Sequence, residues 1–468
     1  MPSNMREADQ EAAAARDLIR KANERVSAPP GRRGLPEATT LPSPGTYSPS
    51  NGGRLSPPSK MEEGGGRKIK EKKQQNDPYA GGFGPYVKRS LSELLLTSQL
   101  NWLLLCTIPA FFMANQEREY RNELWIFILS LLAIAPFAER LSFVTEQLAL
   151  HTTETLGGLL NATFGNVTEL IVSLFALKGG LYRIVQVSLL GSVLSNLLLV
   201  LGTAFLVGGV KYPEQKYSKT AQTTSFGLLL FSAMCMSFPM ILHQSHETLT
   251  EDSTLWISRI TSSLMLGTYC LFLIFQLYTH SHIFEDPDDD DDDDDEEEEE
   301  EAILGAMGAV FWLAVITVFI AYLSEYMVDA IRGAASSLNV PDLFLGTIVI
   351  PIVGNAAEHA AAIIFAAKNK MELALGIAVG SAVQIALFVV PLCVVIAWSV
   401  DMPLDMDFHP FETITLLLTV LIVGVTIQTG ESHWMAGLVL LMSYVVVSVG
   451  FFYHSDTRYD VPQLASSS

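Results

Sequence analysis

The sequence predicts an all-α, polytopic membrane protein of about 11 transmembrane helices, one leading helix followed by two inverted five-helix repeats. Three observations lead there. Charged residues make up only 17% of the chain against 49% hydrophobic. Uncharged apolar runs recur from about residue 98 onward, near the roughly 18 residues or more that a bilayer-crossing helix needs. A polar motif inside one of these runs returns 189 residues later inside another. Such a chain is not a soluble globular enzyme, and nucleic acid is not an expected partner; the lipid bilayer is. The net charge of −21 is mostly local, because residues 285–301 hold 16 carboxylates and no base, leaving 34 acids against 29 bases elsewhere.

The elements follow in order. Residues 1–90 comprise an Ala-rich stretch near 11–25, a Pro/Gly/Ser tract over 27–66 and a basic run at 67–73. They bury too little apolar surface to offset ordering entropy and are expected to be disordered. No charged n-region, apolar core and small-residue cleavage site open the chain, so the N-terminus is expected in the cytosol, with the basic run flanking the first span as the positive-inside rule has it. Hydropathy then places a leading helix at 98–114 and a first repeat over 122–279, with spans at 122–147, 155–177, 184–209, 221–242 and 254–279. The acidic cytosolic linker 285–301 precedes a second repeat over 302–454, with spans at 302–331, 343–367, 371–398, 411–428 and 434–453, and a tail over 455–468. Lys211, Lys216, Lys219, Lys368 and Lys370 fall in cytosolic loops; Lys178, Arg183 and Arg332 run against the bias. Cys106, Cys235, Cys270 and Cys393 stand singly in apolar segments, as small hydrophobes do.

The repeat settles the architecture before any single residue is interpreted. Gly165-Asn166-Val167-Thr168-Glu169 returns as Gly354-Asn355-Ala356-Ala357-Glu358, and Gly191-Ser192 returns as Gly380-Ser381, all at the offset of 189. Halves of five helices, an odd number, place equivalent helices in opposite directions across the membrane, with a substrate site expected near the midplane between them.

Glu169 and Glu358 are the only carboxylates deep in their spans. A carboxylate near the bilayer centre costs on the order of 3 kcal/mol on insertion scales, which marks a functional site. Asn and Gly just before each Glu offer an amide oxygen and a backbone able to open its carbonyls, and Pro351 removes a helical amide, favouring a break there. The carboxylates, with oxygens from Asn166, Asn355, Ser192, Ser381 and Gln384, make an all-oxygen set for a hard cation, Ca²⁺ foremost, with Mn²⁺ also fitting. No Cys or Met accompanies the motif, which disfavours soft metals. Without the metal the two carboxylates repel and lose hydration, so protons compete with the cation for the same oxygens. That competition is the minimum machinery of an antiporter. The cation is cargo; no cofactor is expected, and the oligomeric state is not set by the sequence.

These residues resemble the calcium/proton exchangers of the cation/calcium exchanger superfamily, the vacuolar exchangers of fungi in particular. The stretches that carry the likeness are Ala138-Glu139-Arg140-Leu141, Thr145-Glu146-Gln147-Leu148, residues 157–169 (GGLLNATFGNVTE), 323–329 (LSEYMVD), 351–359 (PIVGNAAEH) and 380–388 (GSAVQIALF). The resemblance implies an eleven-helix exchanger using luminal protons to move cytosolic Ca²⁺ into an acidic compartment, the vacuole. It also implies Glu169 and Glu358 as central ligands, Asn166, Asn355 and Gln384 as supporting groups, and Glu146 as a carboxylate on the cytosolic approach. The acidic segment between the family's halves is matched by the run from Asp288 to Glu301, here 8 Asp followed by 6 Glu. That run is either a solvated tract or a field that concentrates cations at the cytosolic mouth. His359 is either a proton-handling neighbour of Glu358 or a residue that packs the helix behind it. Glu139 with Arg140, and Glu325 with Asp329, either line vestibules or pair locally. A sodium-coupled exchanger, a passive channel and an intramembrane hydrolase are the competing classes, the last without a His-Glu-x-x-His motif.

Overall fold

A backbone inside hydrocarbon has to satisfy its polar groups within itself, which long uncharged runs do as helices. The computed structural model describes residues 88, 90–94, 98–245, 251–284 and 302–454. The expected disorder of the N-terminal region, the acidic linker with Asp288 and Glu301, and the tail concern residues outside these.

Helix α1 (Leu100–Ala114) is the short leading helix. Then come α2 (Glu123–Ala149), α3 (Glu154–Phe164), α4 (Val167–Lys178), α5 (Tyr182–Lys211), α6 (Lys219–Ser245) and α7 (Ser253–Thr279). The second half comprises α8 (Ala306–Leu338), α9 (Asp342–Gly354), α10 (Ala356–Ala367), α11 (Met371–Ser399), α12 (Pro410–Ile427) and α13 (Trp434–Tyr453). Among the described residues eight helices are long and apolar enough to cross a membrane, and α9 with α10 makes a ninth span bent by 52°. Helices α3 and α4 occupy the interval of the third expected span, and the set is consistent with eleven crossings. Starts are set by local chemistry: Asn122 accepts from the Trp125 amide and Thr153 from the Leu156 amide, each supplying an acceptor to an otherwise orphaned helix donor. Helix α8 stops at Asn339, which takes the left-handed conformation (φ 55°).

Contacts at the two ends agree with that parity. At one end the 211–219, 367–371 and 428–433 connections meet: Lys211 donates to the Ala367 carbonyl at 2.6 Å, Gln215 to the Ala366 carbonyl at 2.9 Å, and Gln215–Lys216 pairs antiparallel with Glu431–Ser432. At the other end Arg183 pairs with Glu412, Gln186 with Asp405, and His243 with Asp407. The basic residues that run against the positive-inside bias are thus partly neutralised in place, since Lys178 also pairs with Glu325 at 3.0 Å. Arg121 lies 4.0 Å from Asp329 and Arg140 3.0 Å from Glu139, so these carboxylates pair locally.

Helix α2 packs along α8, with Phe137 stacked on Phe319 at 5.1 Å, while α5 is the most enclosed helix of the bundle. Both α5 and α11 carry a π-turn, Ser195–Val200 and Ile385–Val389, directly after their small-residue motifs. A third, Leu345–Val349, precedes Pro351 in α9. The bend of that span comes at Asn355 rather than at Pro351, because the widened turn absorbs the missing proline amide.

The repeats pack unequally. A Cβ on Gly191 would fall on the Thr347 carbonyl oxygen and the Pro351 ring, whereas around its counterpart Gly380 nothing lies within 4 Å. Gly191→Ala is therefore expected to cost about 1–3 kcal/mol by overpacking and to lower the melting temperature in detergent, with Gly380→Ala close to wild type. Equal melting of the two variants would refute the close approach.

Candidate functional site

Each half-broken span leaves helical geometry at its asparagine: Asn166 (φ −110°, ψ 23°) and Asn355 (φ −87°, ψ 13°). The helix that restarts holds the carboxylate in its first turn, Glu169 in α4 and Glu358 in α10, where unpaired amides and the helix dipole favour negative charge. Inversion of the repeats brings these two helix starts together, and the two carboxylates lie close enough to repel one another.

Around them, Ser381 donates to Glu358 Oε1 at 2.8 Å, Asn166 Nδ2 to Gln384 Oε1 at 2.5 Å, and Asn355 Nδ2 to the Ser192 carbonyl at 3.4 Å. Two of these three contacts cross from one half of the chain to the other. Asn166 and Asn355 commit their amide donors to these contacts, which leaves their side-chain oxygens without a donor. Glu169 Oε2, Glu358 Oε2, Asn166 Oδ1 and Asn355 Oδ1 are all buried and accept no hydrogen bond. Buried acceptors are almost always paired; four orphaned oxygens are a cradle that could hold a cation. Ser192 lines a small cavity with Glu169, Thr168, Ser173 and Gly354. Its free space, about 20 Å³, suits one ion or one water.

A larger vestibule of about 370 Å³ opens at the end of the bundle where the 211–219 and 367–371 connections meet. Its walls include Glu146, Gln222, Gln276 and Glu372, and its inner end is Gly380, Val383 and Gln384. Glu146 is exposed there. Through Gln384, the vestibule touches Asn166 and hence the cradle.

The profile of the sodium/calcium exchanger protein family matches residues 122–278 and 308–453. The chain belongs to this family. It is 47% identical over 379 residues to vacuolar cation/proton exchanger 2 of Arabidopsis thaliana, covering 80% of this chain and 85% of that one. It is 45% identical to vacuolar cation/proton exchanger 2 of Oryza sativa subsp. japonica, covering 78% and 84%. Among solved structures it superposes on the Ca²⁺/H⁺ antiporter protein YfkE with a TM-score of 0.62 at 33% identity, covering 75% of this chain and 98% of that one. The H⁺/Ca²⁺ exchanger CAX, at 13% identity and a TM-score of 0.57 over 76% of this chain and 91% of that one, shares the fold. The likeness read from the motifs stands at the level of the superfamily; these sequence relatives are plant proteins, and the fungal comparison is a minor part of it.

In this exchanger the structure gathers Glu169, Glu358, Asn166, Asn355, Ser192, Ser381 and Gln384 into one centre. His359 is turned to another contact: its Nε2 lies 2.7 Å from Thr203 Oγ1 of α5. Two contributors went unread in the sequence. Asn196, in the π-turn of α5, is fully buried with both side-chain amide atoms unpaired, and its signal was a lone amide in an apolar run. Glu372, buried, accepts from the Ser218 amide at 2.5 Å and from Gln222 at 3.2 Å; nothing in its local sequence separates it from an ordinary helix-start glutamate.

Proposed function

We propose that this exchanger is a secondary active antiporter that moves cytosolic Ca²⁺, with Mn²⁺ as a second fitting cargo, into an acidic organelle lumen in exchange for protons. The observation that carries the reading is the set of four buried oxygens without donors between two apposed helix starts. Two carboxylates match the charge of one divalent cation, and irregular oxygen ligation suits Ca²⁺. Protons are the competing load, because two adjacent buried carboxylates bind them when the metal leaves. The chain divides into a leading helix at 98–114 and repeats over 122–279 and 302–454, which rock about the centre to expose it alternately.

The open vestibule at Gly380 and the tight packing at Gly191 fit a state facing the cytosol. Placement in the vacuolar membrane with the N-terminus cytosolic follows the named relatives and the lysine-bearing loops. Glu146 and Glu372 hold cations in the vestibule by charge, and His359 positions α10 against α5 through Thr203.

The test is ⁴⁵Ca²⁺ uptake into vesicles with an imposed acid interior or an imposed sodium gradient. Uptake driven by acid and not by sodium is expected; sodium-driven uptake points to the other coupling known from the family's name, and uptake without any gradient to a channel. Deleting residues 288–301 is expected to leave exchange intact and to raise the half-saturating Ca²⁺ at low ionic strength by about two- to fivefold, an effect that salt screens within a Debye length of about 8 Å. A loss of affinity that persists in high salt contradicts the diffuse-field role.

A further inference from the structure

The vestibule accounts for one side of the centre; the opposite side holds a half-buried carboxylate that the cradle does not use. Asp405 lies in the 401–409 connection, beyond the far end of α11 from Glu372. It is half-buried, its Oδ1 accepting from Gln186 Nε2 at 2.8 Å and from the Asp407 amide at 3.0 Å. Beneath it is a small cavity walled by Gln186, Leu189, Cys393 and Phe408. Leu189 also walls the inner cavity that contains Glu169, so the two spaces share this side chain as a wall. Ser173 sits at the same partition. Its Oγ is fully enclosed, lies against the Cys393 thiol, and forms no well-aligned hydrogen bond. One helical turn before it on α4 is Glu169.

From Asp405, therefore, a cavity, a partition with an unsatisfied hydroxyl, and a second cavity lead to the centre. Resting on the antiport reading, we infer that Asp405, held by Gln186, is the outer proton-binding residue of the luminal half, through which protons enter the central cavity. Hydronium at the luminal surface gives a proton to the Asp405 carboxylate and becomes water. The carboxyl O–H then breaks toward water in the inner cavity as Leu189 swings aside, leaving Asp405 ionised for the next proton. No other bond changes.

The electrostatics suit the task. Burial pushes the Asp405 carboxyl above the usual carboxylate range; the Asp407 amide opposes this, the Asp407 charge adds to it, and Gln186 and Arg183 pull it back. The groups facing this region are Arg183 on α5, paired with Glu412 of α12; Asp407 on the same connection, paired with His243 of α6; and the Cys393 thiol of α11. A carboxyl raised in this way keeps its proton at a higher pH than free aspartate. The outer residue is thus loaded in an acidic lumen and empties as luminal pH rises.

The experiment compares wild type with Asp405→Asn and Asp405→Glu in proteoliposomes. It reads ⁴⁵Ca²⁺/Ca²⁺ exchange without a pH gradient, and pH-driven Ca²⁺ uptake across a series of interior pH values. Asp405→Asn is expected to keep Ca²⁺/Ca²⁺ exchange, to lose about tenfold in pH-driven uptake as a positioned proton carrier is removed, and to flatten the interior-pH profile, with Asp405→Glu restoring its slope. If the amide variant does not insert, Asp405→Ser, which keeps the bond from Gln186 to the backbone carbonyl of residue 405, takes its place. An unchanged pH profile, or an equal loss of both activities, overturns the role of Asp405. Absence of pH-driven uptake in the wild type instead overturns the antiport reading itself.

Discussion

Glu169→Gln and Glu358→Gln are each expected to abolish Ca²⁺ transport in protein that inserts normally. The amide keeps the shape of the side chain and removes one full charge and one titrating oxygen from a centre that has two carboxylates. Removing one partner of a buried charge pair costs about 3–5 kcal/mol, which at 1.4 kcal/mol per tenfold is more than a hundredfold in affinity. Burial sharpens the loss, because Glu169 Oε2 and Glu358 Oε2 have no hydrogen-bond donor to substitute for the ion. The two variants should differ in degree: Glu358 retains Ser381 as a donor at 2.8 Å, so its amide is better accommodated than the one at Glu169. Asn355→Ala, which removes a buried oxygen but no charge, should impair uptake less than either. Uptake near wild-type level in either glutamine variant, measured at equal protein in the membrane, rules out a shared two-carboxylate centre.

Dissipating the pH gradient with a proton ionophore is expected to stop net Ca²⁺ accumulation altogether. With both carboxylates ionised and no cation bound, a charge of about −2 has to pass through a low-dielectric barrier, at a cost of several kcal/mol per unscreened ion. Two protons or one Ca²⁺ bring the centre close to neutral, so only loaded forms switch sides readily. In the proposed cycle an acidic lumen loads protons and releases Ca²⁺ there, and a near-neutral cytosol strips the protons and reloads the metal. Ca²⁺/Ca²⁺ exchange should survive the ionophore, since both legs of that cycle carry a loaded centre. Accumulation that continues at its former rate without a pH gradient contradicts obligatory coupling.

The helical membrane class and the duplication were legible in the chain alone, and the two glutamates were its nominated ligands. Each of these is written in local or repeated pattern: apolar runs near bilayer length, and the recurrence of Gly-Asn-x-x-Glu at one offset. The stretches around them also nominated Asn166, Asn355, Ser192, Ser381 and Gln384 as oxygen donors beside the two glutamates. Only the tertiary structure decided which way their groups face. Asn166 spends its amide on Gln384 from the other half, which leaves its oxygen to the centre, and no spacing along the chain encodes that pairing. Packing likewise sets His359 against Thr203 across the helix interface, a pairing that no spacing along the chain encodes. Glu372 was illegible because its partners Ser218 and Gln222 are about 150 residues away in sequence. The vestibule is open at Gly380 and closed at Gly191 although the two glycines occupy equivalent places in the repeat. The repeated motifs alone treat the two halves alike; the side chains packed around them differ, and only in three dimensions does that difference close one glycine and open the other, as the proposed exposure of the centre to one side at a time requires.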